Sequence, residues 1–266
     1  MIPNFSFLGR EFSAYQICVL VGVLSAVFFV FFLAQKKKCD DYIALFMMLW
    51  AALGAALGGV LLYGITNISL IVDVLQNWSR LTGAERTAGL TAAFRGSVFY
   101  GGLLGGLALA FSYLKCKKAD LRTYSDLGAV GIPLFHTFGR LGCFLTGCCY
   151  GVECKAGFVY HYAPHAAANG VSRFPVQLVE VGLNLGLFIL LLCLLLKGKA
   201  KGRLLQLYLL IYPICRFILE FFRGDDYRGF LFGLSTSQII SVLILLGNLL
   251  FTLYTRNAKK KEADLC

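Results

Sequence analysis

AYQICVLVGVLSAVFFVFFLAQKKK, residues 14–38, decides the architecture. Residues 14–34 carry no charge, and about 20 apolar residues suffice to cross the hydrocarbon core of a bilayer. Lys36, Lys37 and Lys38 follow directly. Basic residues beside an apolar span mark its cytoplasmic end. Further apolar stretches run roughly over 42–63, 97–114, 121–140, 176–196, 204–222 and 236–255. Lys115, Lys117, Lys118 and Arg122 follow the third span. Lys197, Lys199, Lys201 and Arg203 follow the fifth, and Arg256, Lys259, Lys260 and Lys261 the seventh. These alternate loops hold every lysine except Lys155. The sequence predicts an all-α, polytopic integral membrane protein with about seven transmembrane helices. Its N-terminus is outside and its C-terminus cytoplasmic. Residues 1–266 form a single domain, with segments 64–96 and 141–175 on the outer face.

Composition agrees. The chain is 58% apolar and 15% charged, against about 25% charged in soluble domains. The net charge of +11 does not point to nucleic acid, because the lysines gather in loops between apolar spans. The first span is too long for the apolar region of a cleavable signal and lacks a small-residue cleavage site. The outer loops differ in kind. Their basic residues are almost all arginines: Arg80, Arg86, Arg95, Arg173, Arg223 and Arg228. Arginine presents a planar fork of donors suited to phosphate or carboxylate, so the outer face carries the chemistry. Ile68 to Trp78 reads either as an amphipathic segment on the membrane surface or as a plain connection.

The fourth span is the least apolar. It carries Asp126, Pro133, His136 and Arg140, and so faces protein rather than lipid. His136 and Arg140, four residues apart, share one helix face. An arginine inside a membrane span marks function by default; the structural alternative is pairing with Glu180 or Glu220. Arg216 and Glu220 repeat the four-residue spacing at the end of the sixth span, with Arg223 beyond them. Arg140 and Arg216, on separate helices, are placed to clamp one anionic head group. In the third span Gly101, Gly102, Gly105 and Gly106 make a small-residue face that admits a close helix or a lipid. Tyr100 stands just before that face, where a tyrosine is usually an interfacial anchor.

Cys143, Cys148, Cys149 and Cys154 are open to several readings. They can form a disulfide on the oxidising side, pack as small apolar side chains, bind a metal with His136, His161 or His165, or carry redox chemistry. The spacing fits no common zinc pattern. No nucleotide, metal or other cofactor requirement is apparent.

The order of these motifs resembles the prolipoprotein diacylglyceryl transferase family. The resemblance rests on Tyr15, FYGGLLGG at 99–106, GRLGCFLTGCCYG at 139–151, FPVQLVE at 174–180, RFILEFFRGDD at 216–226 and STSQIISVLIL from 235. It implies transfer of the diacylglyceryl group of phosphatidylglycerol onto the lipobox cysteine of a prolipoprotein signal peptide, at the outer face of a bacterial plasma membrane. Membrane lipid and the signal peptide are then the partners, and no cofactor is needed. By position the resemblance assigns Arg140, Arg216 and Glu220 to catalysis. The residues expected to bind substrate are Tyr15, Gly101, Gly102, Gly142, Cys143, Cys148, Gly151, Gln177, Arg223 and Gln238, of which Tyr15, Gly151 and Arg223 match family positions, and no residue is expected to bind a metal.

The chain departs from the family at telling places. The family pattern F-H-G-G is Phe99-Tyr100-Gly101-Gly102 here. G-N-F-x-N-G-E is Gly142-Cys143-Phe144-Leu145-Thr146-Gly147-Cys148. The acceptor thiol must lose its proton to attack. With the family histidine absent, His136 is the expected base and Tyr100 the weaker one, since imidazole titrates near neutrality and phenol near about 10. Other readings of the same residues are a divergent member with another acceptor or donor, a non-catalytic lipid binder, and a membrane thiol-redox protein using Cys143, Cys148 and Cys149.

Overall fold

The computed structural model describes residues 5–7, 10–96, 98–225, 230–231 and 233–264. The fold is mostly helical. Strands β1 (Phe5–Phe7) and β2 (Arg10–Phe12) pair ahead of α1 (Ala14–Lys36). Helices α2 (Asp41–Thr66), α3 (Ile68–Gln76), α4 (Gly83–Phe94), α5 (Phe99–Cys116) and α6 (Leu121–Thr146) follow. Strands β3 (Glu153–Val159) and β4 (Ser172–Arg173) form an antiparallel ribbon. Then come α7 (Val176–Leu196), α8 (Leu204–Leu219), the hairpin β5 (Phe230–Leu231) and β6 (Leu234–Ser235), and α9 (Thr236–Asp264). The short ribbons refine the all-helical expectation. Among the described residues, α1, α2, α7, α8 with its extension to Phe222, and α9 to Asn257 are long and apolar enough to cross a membrane. The chain is therefore a polytopic membrane protein. Helix α6 is not among those five; His136, Arg140 and several glycines dilute its apolar run.

The chain divides into two compact units, 1–26 with 125–266, and 27–124. In the second unit, α2 and α5 pack through glycines. Gly54 and Gly58 meet the carbonyls of Gly105 and Gly101, and Gly102 faces the carbonyl of Ala55 at 3.1 Å from where a Cβ would stand. Side chains at these points would push the helices apart, as at other small-residue membrane crossings. Helix α3 falls within 68–78, where the sequence left an amphipathic segment and a plain connection both open. Helix α4 is started by a capping box in which Thr82 and Glu85 satisfy each other's backbone N–H groups, and Arg86 stacks 4.6 Å over Trp78.

The first unit is built around α7. Its buried residues Gln177, Glu180, Asn184, Leu187 and Leu191 recur every three or four positions, so they share one face. That face is polar in its first half and apolar in its second. Asp126 of α6, almost wholly buried, accepts hydrogen bonds from the backbone N–H groups of Gly202 and Leu204 at 2.5 and 2.8 Å. It thus satisfies donors that the start of α8 cannot pair internally. Replacing Asp126 with alanine strands both donors. The expected loss is about 1–3 kcal/mol, read as a lower melting temperature in detergent; an unchanged melt would refute the capping role.

A small aromatic core supports residues 141–175. Tyr150, Tyr160, Ala163 and Ala168 pack together with Phe144 against them, and Phe144 meets Phe158 edge-on at 5.1 Å. Arg173 serves this core. Its guanidinium lies 4.8 Å over the Tyr150 ring and donates to the carbonyl of Ala167 at 2.6 Å.

Candidate active site

Helices α6, α7 and α8 bring four charges together. The Arg140 side chain pairs through Nε with Glu180. The other oxygen of Glu180 lies 3.2 Å from Nη1 of Arg216. Nη2 of Arg216 lies 2.6 Å from Glu220 and donates to Ser237 Oγ at 3.1 Å. The network holds two guanidiniums and two carboxylates, so it is neutral as a unit. Pairing of this kind is what makes buried charge tolerable. The arginine–carboxylate pairing that the sequence offered as a structural alternative is therefore present at both arginines. The members are unequal: the Arg140 side chain is 21% exposed and that of Glu180 only 3%. Arg140 is the open end of the network.

Aromatic residues floor the site. Tyr208 and Tyr212, one turn apart on α8, stack at 5.3 Å and 11°. The Tyr212 hydroxyl lies beside Arg140. The Tyr208 hydroxyl is 3.0 Å from Nδ1 of His136, whose ring lies 5.2 Å from that of Tyr212. His136 is thus one turn from Arg140 on the same face, as its spacing predicts, and Asn184 adjoins it.

The C-terminal end of α6 is shaped by glycines. Gly142 fits closely against α1: a Cβ there would stand 3.0 Å from Cys18 and 3.1 Å from Tyr15, so even a methyl group would press on that helix. Helix α6 runs six residues past Arg140 and ends at Thr146. Gly147 turns the chain at φ +80° and donates to the Cys143 carbonyl at 3.0 Å. The next residues join a ladder. Val152 N–H donates to the Phe222 carbonyl at 3.0 Å, Gly224 N–H to Tyr150 at 3.0 Å, and Phe174 N–H to Val152 at 2.8 Å. Gly151 sits inside this ladder against the carbonyls of Phe174 and Phe222, which leaves no space for a Cβ. Arg223, next to the ladder, is held in a two-point pair with Asp225 through Nε at 2.8 Å and Nη2 at 2.5 Å. Gln177 donates to the Cys148 carbonyl at 2.8 Å and lies beside Tyr160, whose phenol is pushed above its ordinary range by burial. Hydrogen bonding with Cys143 and Cys148, reinforced by nearby Arg223 and Arg140, holds the Cys149 thiol below the usual thiol range. Hydrogen bonding with Cys143 and then Cys149, together with burial, pushes Cys148 above it.

Most expected site residues therefore gather in the first unit: Tyr15, His136, Arg140, Gly142, Cys143, Cys148, Gly151, Gln177, Arg216, Glu220 and Arg223. Gln238 has a different task. It accepts from Ser235 N–H at 2.9 Å and caps α9, while its neighbour Ser237 contacts Arg216. Gly101 and Gly102 belong to the second unit, against α2. The Tyr100 side chain, Asp226 and Arg228 lie outside the described residues. Residues that the sequence left unassigned are Ser237, Asp225, Asn184, Tyr208 and Tyr212; Glu180 was foreseen only as a partner for arginine.

Comparison with known proteins bears on this arrangement. The family model described as prolipoprotein diacylglyceryl transferase matches residues 4–254. A phosphatidylglycerol–prolipoprotein diacylglyceryl transferase of Clostridium tetani is 32% identical over 252 residues, covering 94% of this chain and 96% of its own. One from Clostridium perfringens, numbered 2, is 33% identical over 258 residues, with 96% and 95% covered. One from Campylobacter lari is 29% identical over 270 residues, with 97% and 95% covered.

Proposed function

The chain belongs to the prolipoprotein diacylglyceryl transferase family, and from that premise we propose that it moves the diacylglyceryl group of phosphatidylglycerol to the lipobox cysteine of a prolipoprotein. In this reading the whole chain acts as one transferase domain in the bacterial plasma membrane. It crosses seven times with its N-terminus outside, and the site opens toward the outer leaflet. The arrangement of lysines in alternate loops supports that orientation.

The observation that carries the reading is the neutral network of Arg140, Glu180, Arg216 and Glu220 with Arg140 at its open end. The phosphate of the lipid pairs with Arg140, and Arg216 backs it through Glu180. The acceptor sulphur forms a bond to the glyceryl carbon as the bond from that carbon to phosphate oxygen breaks. Glycerol phosphate departs with the electron pair. Fixed guanidiniums aimed at that oxygen stabilise the charge it gains. The thiol proton passes to His136. That step requires the tautomer in which Nδ1–H donates to Tyr208, with Nε2 as the accepting nitrogen. Tyr15, Gly142 and Gly151 shape the lip through which the peptide approaches, and Arg223 stands at its edge.

His136→Ala is expected to lower transfer by about 10²–10⁴-fold, the usual range for a lost general base, while the melting temperature stays close to that of the parent. Wild-type turnover in that variant would remove His136 from the mechanism. The test of the whole reading is a transfer assay. Protein in detergent is mixed with labelled phosphatidylglycerol and a lipobox peptide, and label is followed onto the peptide cysteine together with release of glycerol phosphate. Label that binds but never moves would overturn the proposal for this pair of substrates.

A further inference from the structure

Three sulphurs converge at the outer end of α6. The Sγ atoms of Cys143, Cys148 and Cys149 all lie within 4.8 Å of one another. Cys143 is buried, the other two are half-buried, and none is in a disulfide. The backbone goes out of its way to produce this. Cys143 lies on the last turn of α6, Gly147 reverses the chain, and Cys149 sits in the left-handed region at φ +58°. That conformation costs a non-glycine residue on the order of 1–3 kcal/mol and persists where surrounding structure imposes it. The surroundings are visible: the Cys148 N–H donates to the Cys143 carbonyl at 3.2 Å, and Gln177 holds the Cys148 carbonyl at 2.8 Å. Simple packing does not require a strained cysteine, and a disulfide would use two sulphurs and leave the third.

We infer that Cys143, Cys148 and Cys149 form a three-thiolate site for a single soft metal cation, with monovalent copper the best match. Thiolates are the ligands that select such ions. Metal–sulphur bonds of about 2.3 Å place sulphurs about 4.0 Å apart around a three-coordinate ion, so closing the cluster from within 4.8 Å takes movements of about 1 Å or less. Among the described residues no histidine, aspartate or glutamate joins the cluster. A site of three sulphurs suits a three-coordinate ion, whereas structural zinc takes four ligands. Binding releases the thiol protons to solvent and involves no change of oxidation state. Three thiolates around a monovalent ion leave two negative charges; Arg140 and Arg223 are close enough to act on Cys149, and because each is already paired with a carboxylate they moderate that charge without cancelling it. The site stands apart from the transferase reading: it would hold in a chain that transfers nothing.

The test uses the full chain in detergent, reduced with a phosphine and titrated with monovalent copper without oxygen against a coloured copper chelator. One ion per chain is expected to leave the chelator. Cys143→Ser, Cys148→Ser and Cys149→Ser should each weaken binding beyond the roughly 10–100-fold that loss of a supporting partner costs. Cys154→Ser should bind as the parent does. Should a serine variant misfold, the parent alone suffices: copper should protect these three cysteines from alkylation in peptide mapping and leave Cys154 reactive. No retained copper, or binding indifferent to all three substitutions, overturns the site. So does retention of zinc without copper. A disulfide between two of the three that re-forms after reduction and excludes copper would also overturn it, in favour of thiol redox chemistry.

Discussion

Glu180→Ala is expected to destabilise the protein by about 3–5 kcal/mol, the cost of removing one partner from a buried ion pair, and to abolish transfer. Glu180 is the hinge of the charge network. One carboxylate oxygen serves Arg140 from α6 and the other serves Arg216 from α8. Without it, Arg140 loses its ion pair with Glu180, and Arg216 keeps Glu220 and Ser237. Alanine cannot restore the lost charge and leaves space as well. Glu180→Gln separates these effects, because it keeps the volume and one acceptor but not the charge. It should melt between the parent and the alanine variant, yet transfer no better than alanine. The measurements are thermal unfolding in detergent and the transfer assay. A Glu180→Ala protein that melts like the parent would sink the view that this carboxylate ties α6 to α8.

The second large effect is expected from Arg140→Lys. Lysine keeps the positive charge and can still answer Glu180, so the melting temperature should change little. It cannot present two parallel donors to a phosphate, because its ammonium is a point charge on a flexible stem. Transfer should fall by about 10²–10³-fold, the usual cost of one lost electrostatic donor to a developing oxyanion. Activity within about threefold of the parent would show that a point charge suffices and that no fork is used. The same substitution at Arg216 is a useful contrast. Arg216 is buried and engaged by two carboxylates and Ser237, so Arg216→Lys should lower both stability and transfer.

The helices were largely legible because apolar length and charge are strong signals. Helix α1 occupies 14–36 against a reading of 14–34, and α7 matches 176–196. The pairing of Arg140 with Glu180 and of Arg216 with Glu220 was also within reach, since buried arginines need carboxylates and few were on offer. Other features left no trace of that kind. The continuation of α6 to Thr146 was hidden by Gly142 and Gly147, two glycines with opposite roles, one allowing α1 to approach and one ending the helix. Tyr208 and Tyr212 look in sequence like lipid-facing aromatics, and only the helix rotation turns them toward His136. Ser237 sits in a serine-rich stretch where Gln238 was the more eye-catching residue, and it is the smaller side chain that reaches Arg216. The β3–β4 ribbon depends on pairings thirteen or more residues apart, which local patterns do not encode.

The division of charge among the helices also sets an order of biogenesis. Helix α8 carries its own counter-ion, since Glu220 lies four residues from Arg216. Helix α6 carries Arg140 with its partner on another helix, and that helix, α7, is made later. As a crossing segment in the proposed topology, α6 would enter the bilayer with its guanidinium not yet paired, at less than the about 2.5–3.5 kcal/mol of an arginine at a helix centre, since Arg140 stands six residues from the end of α6. Helix α7 is apolar enough to insert despite Glu180. Arg140 is therefore expected to gain its counter-ion only once α7 has been made. A nascent chain cut short ahead of Glu180 is expected to hold α6 in the bilayer less firmly than one that includes α7, which glycosylation mapping of truncated chains would read.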